Sequence, residues 1–150
     1  MSNRYFDIDD EGKRPFITQT AMRAKLPAIV VEKDLWVTLV LQLVFKLPFA
    51  DRIIFKGGSS LSKCWDLIGR KYVRPVVMLE ISSRSLIEPT RKTKVSSMVS
   101  QTFPDMSTDV TDAEIRAALP EKTFLENVFL LHEIFTTDRC QKAERKSRHL

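Results

Sequence analysis

The sequence predicts a small mixed α/β fold, with a small sheet flanked by helices, in one domain covering residues 1–150. Three observations support this class. The chain has single-domain length, and its 43% hydrophobic and 29% charged residues are ordinary globular proportions. A short apolar run at residues 53–55 meets a Gly-Gly turn, behind which apolar residues recur at helical spacing from Leu61 to Ile68. A second run, residues 75–81, is rich in apolar and β-branched residues, which is typical of a strand.

The first half of the chain is expected to contain both helices and strands. A helix is predicted to start at Pro15, whose fixed φ suits a first helical turn. A second helix is predicted from Pro27 to about Phe45. It is apolar around most of its surface, so we expect it to be buried. A helix over residues 59–69 should pack on a sheet in which the strands 53–55 and 75–81 are neighbours.

The second half of the chain, from residue 82 on, is predicted to be loop followed by helix. Residues 82–120 are rich in Ser, Thr, Arg and Pro, which indicates a loop with one strand around residues 95–99. Thr123 with Glu126 three residues later predicts a capping box at the start of a helix. Four apolar residues of that helix share one face: Phe124, Val128, Leu131 and Phe135. A final basic helix is predicted at about residues 138–150.

Composition argues against a membrane or secreted protein. The longest apolar stretch, residues 35–49, is too short and too interrupted by polar residues to span a bilayer. The acidic N-terminal segment has no apolar core of a signal peptide. Cys64 and Cys140 lie outside any metal-binding spacing, which favours free thiols. We therefore expect a cytoplasmic protein with no membrane partner and no metal-binding cysteine site.

Positive charge is unevenly distributed along the chain. The net charge is +5, and basic residues dominate residues 71–94 and 138–149. Such clustering suits RNA or nucleotide phosphates, and their affinity would then depend on salt. A solvated helix face and loop explain the same pattern. The charge alone leaves both interpretations open.

The turn after residues 53–55 has the composition of a phosphate cradle. Gly57 and Gly58 let the backbone approach a polyanion, and the first turn of the next helix offers free N–H groups. Ser59, Ser60 and Lys63 add hydrogen-bond donors. The spacing fits neither a P-loop nor a dinucleotide fingerprint. The alternative is a simple strand-to-helix turn that uses glycine for its positive φ.

Several ordered motifs resemble the abortive-infection nucleotidyltransferase toxins, the AbiEii/AbiGii family. They are Ile-Val-Val-Glu-Lys-Asp-Leu-Trp-Val at 29–37, Phe-Lys-Gly-Gly-Ser-Ser-Leu-Ser-Lys at 55–63, residues 73–81 with 84–89, Lys-Thr-Phe-Leu-Glu at 122–126 with residues 130–133, and residues 145–150. The resemblance covers most of the chain. It implies a nucleotidyltransferase-like fold and transfer of a nucleoside monophosphate from an NTP to an RNA acceptor such as tRNA, with Mg²⁺ as cofactor.

The chain departs from that family where the family holds its metal ions. The Asp-hydrophobic-Asp strand that should follow the Gly-Gly-Ser helix is missing, which suggests an internal deletion near residues 70–71. Asn127 replaces the lysine of the family's Thr-Phe-x-Glu-Lys pattern, and the chain stops before the Tyr-Asp that usually follows Ser-Arg-His. We therefore expect a truncated, degenerate and inactive member. The alternative is a non-catalytic module that binds nucleotide, RNA or an antitoxin.

The resemblance also implies roles for single residues. Glu80 would be a relic of the catalytic site, since one carboxylate cannot clamp two metal ions. Gly57, Gly58, Ser59, Ser60 and Lys63 would bind nucleotide phosphates. Three arginines would contact RNA or a partner: Arg84, Arg145 and Arg148. The expected partners are a cognate antitoxin, tRNA and a second copy of the chain, which would cover the sheet edge left by the deletion.

Overall fold

The computed structural model describes residues 8–67, 76–81, 88–105 and 112–136. Within these ranges the chain forms five α-helices and a two-stranded antiparallel sheet, which confirms the predicted mixed α/β class. In chain order the elements are α1 (Asp10–Ala24), α2 (Ala28–Val44), a 3₁₀ turn (Ala50–Arg52), α3 (Gly58–Cys64), β1 (Thr90–Ser96), α4 (Met98–Thr102), β2 (Asp112–Ala118) and α5 (Pro120–Thr136).

Helix α1 begins before Pro15, so the predicted start at Pro15 is wrong. Asp9 is the N-cap, and its carboxylate accepts a hydrogen bond of 2.8 Å from the Gly12 N–H. Asp10 and Glu11 in the first turn are favoured by the helix dipole. These caps fix the start, and Pro15 is accommodated inside the helix.

Helix α2 follows Pro27, as predicted, and contacts both parts of the core. Its inner face is buried at Val30, Val31, Leu35 and Leu41. Ile29, Trp36 and Leu43 on the other side are exposed. The expected burial of α2 is therefore correct for one face only.

The core consists of two clusters joined by α2. The first packs α1, α2 and α4 together through Ala21, Val31, Leu35 and Val99. Phe16 and Phe103 close this cluster in an edge-to-face contact, with ring centroids 5.1 Å apart. The second cluster packs α2 on the sheet and contains Leu41, Val95, Ala113, Ile115 and Ala117.

Strands β1 and β2 pair so that one face of the sheet meets α2. Val95 lies opposite Ala113, and Thr93 lies opposite Ile115. Phe55 adds one parallel bridge on the far side of β2: its N–H donates to the Arg116 carbonyl (2.8 Å) and its carbonyl accepts from the Ala118 N–H (2.9 Å). The predicted strand at 53–55 is thus reduced to a single bridged residue.

The predicted strand at 75–81 is wrong for the residues that the structure describes. Residues 76–81 have no regular secondary structure. They do not pair with residues 53–55 as expected, because Phe55 pairs with β2 instead. Most of their side chains are exposed, including Val76, Met78, Leu79 and Ile81. Position 75 lies outside the described residues.

The prediction that residues 82–120 are mainly loop is also wrong. Both strands of the sheet and α4 lie in this segment. The expected strand at 95–99 covers only the end of β1 and the start of α4. β2 contains three alanines, which favour helices, yet Ala113, Ile115 and Ala117 alternate into the core. Burial against α2 decides their conformation.

The helices α3 and α5 differ from prediction at their ends. The predicted helix at 59–69 starts one residue earlier and ends at Cys64. α5 starts at Pro120, a residue favoured in the first helical turn, so Thr123 lies inside the helix and is not a cap. Thr123 is buried, whereas Phe124 and Val128 are exposed. The Phe135 side chain and the basic helix predicted at 138–150 lie outside the described residues.

No helix within the described ranges combines the length and hydrophobicity needed to cross a bilayer.

Candidate functional site

The Gly-Gly turn leads into α3 as the sequence predicts. Gly57 has φ +89°, on the side of the φ/ψ map that glycine tolerates best. The Leu61 N–H donates to the Gly57 carbonyl over 3.0 Å, which starts the helix. A Cβ on Gly57 or Gly58 would meet no atom within 4 Å, so the turn is open. Gly58 and Ser59 are exposed.

Lys63 lies at the centre of a buried polar cluster. Its Nζ is 2.7 Å from the Asp34 Oδ1, and the two side chains are only 5% and 9% exposed. Lys63 also donates to the Ser96 carbonyl (3.3 Å), and the other oxygen of Asp34 accepts from the Met98 N–H (2.7 Å). This cluster joins α2, α3 and the junction between β1 and α4.

A second ion pair lies just before the turn. The Lys56 Nζ is 2.8 Å from the Glu126 Oε2, and both side chains are partly buried. This contact fastens the first turns of α5 to the chain segment that enters α3. The structure therefore brings together three of the motif segments that carry the family resemblance, through Asp34, Lys56, Lys63 and Glu126.

These two ion pairs change the electrostatics of the predicted phosphate cradle. Lys63, the expected counter-charge for phosphate, has a buried carboxylate as its partner. Lys56 likewise has Glu126. A polyanion at the turn would have to compete with Asp34 and Glu126 for both lysines. The glycines and Ser59 of the predicted cradle thus lie at or near the surface. Its basic side chain, Lys63, pairs with Asp34 in the interior.

Ser60 and Cys64 form the inner side of α3. Ser60 is fully buried, and no described atom meets hydrogen-bond geometry with its hydroxyl oxygen. Burial raises the pKa of the Cys64 thiol, against the opposing effects of the Ser60 hydroxyl and the Lys63 charge. Ser60 therefore packs in the interior and does not point to solvent, contrary to its predicted role as a phosphate donor.

The remaining predicted site residues are not brought to this turn. Glu80 is exposed on the segment 76–81, and no ion pair joins it to another described residue. No group of three His, Cys, Asp or Glu side chains in the described ranges could hold a metal ion. Glu80 alone does not fit a two-metal site for Mg²⁺. Arg84, Arg145 and Arg148 lie outside the described residues.

A separate apolar groove lies between α2 and the segment 76–81. It has a volume of about 290 Å³. Five of the seven residues that line it are apolar, and Glu32 and Lys33 are charged. The lining residues are Ile29, Glu32, Lys33, Trp36, Val40, Val76 and Val77. Beyond the groove, Met78 and Ile81 are 80% and 84% exposed. Exposed apolar residues grouped around a groove mark an interaction site more often than scattered ones do.

The sequence motifs contain Asp34 and Glu126, but they predict no role for Asp34 and the wrong one for Glu126. One sequence signal points to Asp34: it lies in a mostly apolar helix that is expected to be buried, and a buried charge needs a partner. Glu126 was assigned to a capping box because its spacing from Thr123 fits one. Its actual partner, Lys56, is far away in sequence, and no local pattern indicates that pairing.

No protein-family model, curated protein or solved structure matches this chain. The resemblance to the nucleotidyltransferase toxins stays a prediction from the motifs.

Proposed function

We propose that this chain is a catalytically silent relative of the nucleotidyltransferase toxins and works as a binding module for a protein partner. The resemblance implies a cognate antitoxin in the cytoplasm as that partner. The loss of catalysis is supported by the missing acidic pair in the sequence and by the two lysines near the Gly-Gly turn, which are held by Asp34 and Glu126. Transfer chemistry needs such positive groups on the phosphates and metals held by acids.

The observation that carries the proposal is the groove between α2 and residues 76–81. Trp36 and Val76 line the groove and are 44% and 62% exposed overall, although both are apolar. Leaving these side chains in water costs free energy that a partner would recover on binding. The groove is about the size that one or two apolar side chains fill.

The backbone of residues 76–81 favours an extended partner segment. These residues form no hydrogen bond with any other residue that the structure describes. N–H and C=O groups that bond to no described residue, next to an apolar groove, suit a partner strand that pairs with them and places alternate side chains in the groove. The partner segment is therefore expected to be extended, with apolar residues at every second position.

Trp36 offers a direct test, because the chain has only two tryptophans. In a Trp65→Phe variant, fluorescence reports on the groove alone. We expect the purified product of the adjacent reading frame, the candidate antitoxin, to shift the Trp36 emission to shorter wavelength in a saturable way. A Val76→Asp change should weaken this binding by at least about tenfold, as loss of an interface anchor does.

A matched control is Leu43→Asp, which changes an exposed apolar residue of α2 that does not line the groove. It should bind like the parent. Binding that ignores Val76→Asp, or no binding by the adjacent gene product, would overturn the proposal. The catalytic part is tested separately: with Mg²⁺ and any α-labelled NTP, the chain should transfer no label to tRNA, and Glu80→Ala should change nothing.

A further inference from the structure

Helix α5 carries an apolar stripe that the rest of the described chain does not cover. Its first turns hold it to the body through the buried residues Lys122 and Thr123. On the opposite side, four large apolar residues are exposed: Phe124, Leu125, Val128 and Phe129. Phe124 and Phe129 expose 65% and 70% of their surface. Glu121 and His132, also exposed, lie at the two ends of the same stripe.

The stripe has an inverted internal symmetry. Read outwards from a point between Glu126 and Asn127, it runs Leu125, Phe124, Glu121 in one direction and Val128, Phe129, His132 in the other. Each position on one side has a matching position, at the same distance from the centre, on the other. A surface with this pattern is complementary to itself when it is turned end over end, which is what a two-fold interface requires.

We propose that the α5 stripe binds α5 of a second copy of this chain, antiparallel, about a two-fold axis between Glu126 and Asn127. Leu125 of one copy then packs against Val128 of the other at the centre of the seam. Phe124 and Phe129 lie on the two flanks and exclude water from it. Glu121 of one copy lies level with His132 of the second copy at each end.

Charge selects this occupant and this direction. In the antiparallel arrangement the Glu121 carboxylate lies level with the His132 imidazole, which can donate a hydrogen bond to it, at both ends of the seam. In a parallel arrangement Glu121 would face Glu121, and like charges in register are unfavourable. The residues of the groove between α2 and 76–81 take no part, so a partner in that groove and a second copy on α5 use different residues.

The size of the stripe predicts a weak dimer. A phenylalanine buries about 150–250 Å² in full, so the exposed parts of Phe124 and Phe129 offer roughly 200–340 Å² per chain. With Leu125 and Val128 the interface reaches roughly 350–500 Å² per chain, below the about 800 Å² of a standard stable interface. We therefore expect a transient dimer that dissociates on dilution.

Sedimentation of the full chain tests the association. The apparent mass should rise from 17.3 kDa towards twice that value as the concentration increases through the range of the dissociation constant. The double change Phe124→Asp with Phe129→Asp should weaken dimerisation by at least about 100-fold. Leu130→Asp, an exposed position on the other side of α5, is the matched control and should dimerise like the parent.

Disulfide trapping tests the direction, in a background with Cys64→Ala and Cys140→Ser. Positions 121 and 132 are about 16 Å apart along one helix at a rise of about 1.5 Å per residue, too far for one disulfide. A mixture of Glu121→Cys and His132→Cys chains should therefore crosslink on oxidation, while either variant alone should not. Crosslinking of each variant with itself, a monomer at every concentration, or association that continues beyond dimers would overturn the proposal.

Discussion

Replacing Lys63 by Met is expected to destabilise the fold strongly, because it removes the positive charge that pairs with the buried Asp34 carboxylate. Met keeps most of the side-chain volume, so packing changes little. The Asp34 carboxylate, 9% exposed, would retain the Met98 N–H but lose the ammonium group 2.7 Å away. The Ser96 carbonyl would lose the same donor. Removing one member of a buried pair typically costs about 3–5 kcal/mol.

That loss is large compared with the whole stability of a domain of this size, about 5–15 kcal/mol. Urea unfolding followed by tryptophan fluorescence should show a lower midpoint with an unchanged slope. Asp34→Asn in the Lys63→Met background should recover part of the loss, because it removes the buried negative charge that Lys63 balanced while Asn keeps an acceptor for the Met98 N–H. The two changes should thus be clearly non-additive.

Lys94→Met is the matched control, since Lys94 pairs with Asp112 at 3.1 Å but is 71% exposed. Surface pairs contribute only about 0–1 kcal/mol, so this variant should unfold close to the parent. If Lys63→Met also stays within about 1 kcal/mol of the parent, Lys63 does not hold the fold together. A loss of nucleotide binding without a loss of stability would instead restore Lys63 as a phosphate ligand.

Two further predictions concern the turn and the sheet. Gly57→Ala should lower the unfolding free energy by about 1–3 kcal/mol, because alanine disfavours the backbone conformation at φ +89° although its Cβ has room. Gly58→Ala is the control: its Cβ has equal room and its φ is not positive, so it should be neutral or slightly stabilising. Equal effects of the two changes would refute the claim that an alanine at position 57 is strained. Burial alone would raise the pKa of Asp112, but hydrogen bonds from Ser96 and Lys94 and the Lys94 charge hold it below its usual range. Its carboxylate therefore stabilises the fold above the unfolded pKa of about 3.9, and this contribution is lost as pH falls through the lower, folded pKa. The difference in unfolding free energy between the parent and Asp112→Asn should accordingly be largest near pH 7 and shrink in acid, and a difference that grows in acid would contradict the assignment.

The sequence predicted the elements whose signals are local. α2 begins after Pro27 as expected, because proline ends the preceding segment and a long apolar run follows. The Gly57 turn before α3 was also predicted, since two adjacent glycines are rare except where the backbone needs them. In both cases neighbouring residues contain the physical cause, so no tertiary information was required.

The sheet could not be predicted in the same way. β2 is stabilised by Ala113 and Ala117, whose small side chains let the strand approach α2 closely, but whose intrinsic preference is helical. The segment 76–81 has the opposite character: its Val, Met and Ile residues match a strand, yet it is exposed and has no strand partner among the described residues. Contacts with distant parts of the chain decide the conformation of β2 and of residues 76–81. Local propensity indicates the wrong conformation for each of them.

The candidate site shows why a recognisable motif need not imply a working site. Asp34, Lys56, Lys63 and Glu126 belong to three motif segments, and their two ion pairs connect α2, α3, α5 and the β1–α4 junction. Loss of any one would remove the ion-pair partner of a partly or fully buried charge, with a cost to stability that does not depend on catalysis. Under the proposed function, the requirement to fold is therefore enough to retain these residues after the chemistry has gone. Glu80 has no such contact among the described residues, so none of the described contacts would retain it, and its replacement should be tolerated better than that of the four paired residues.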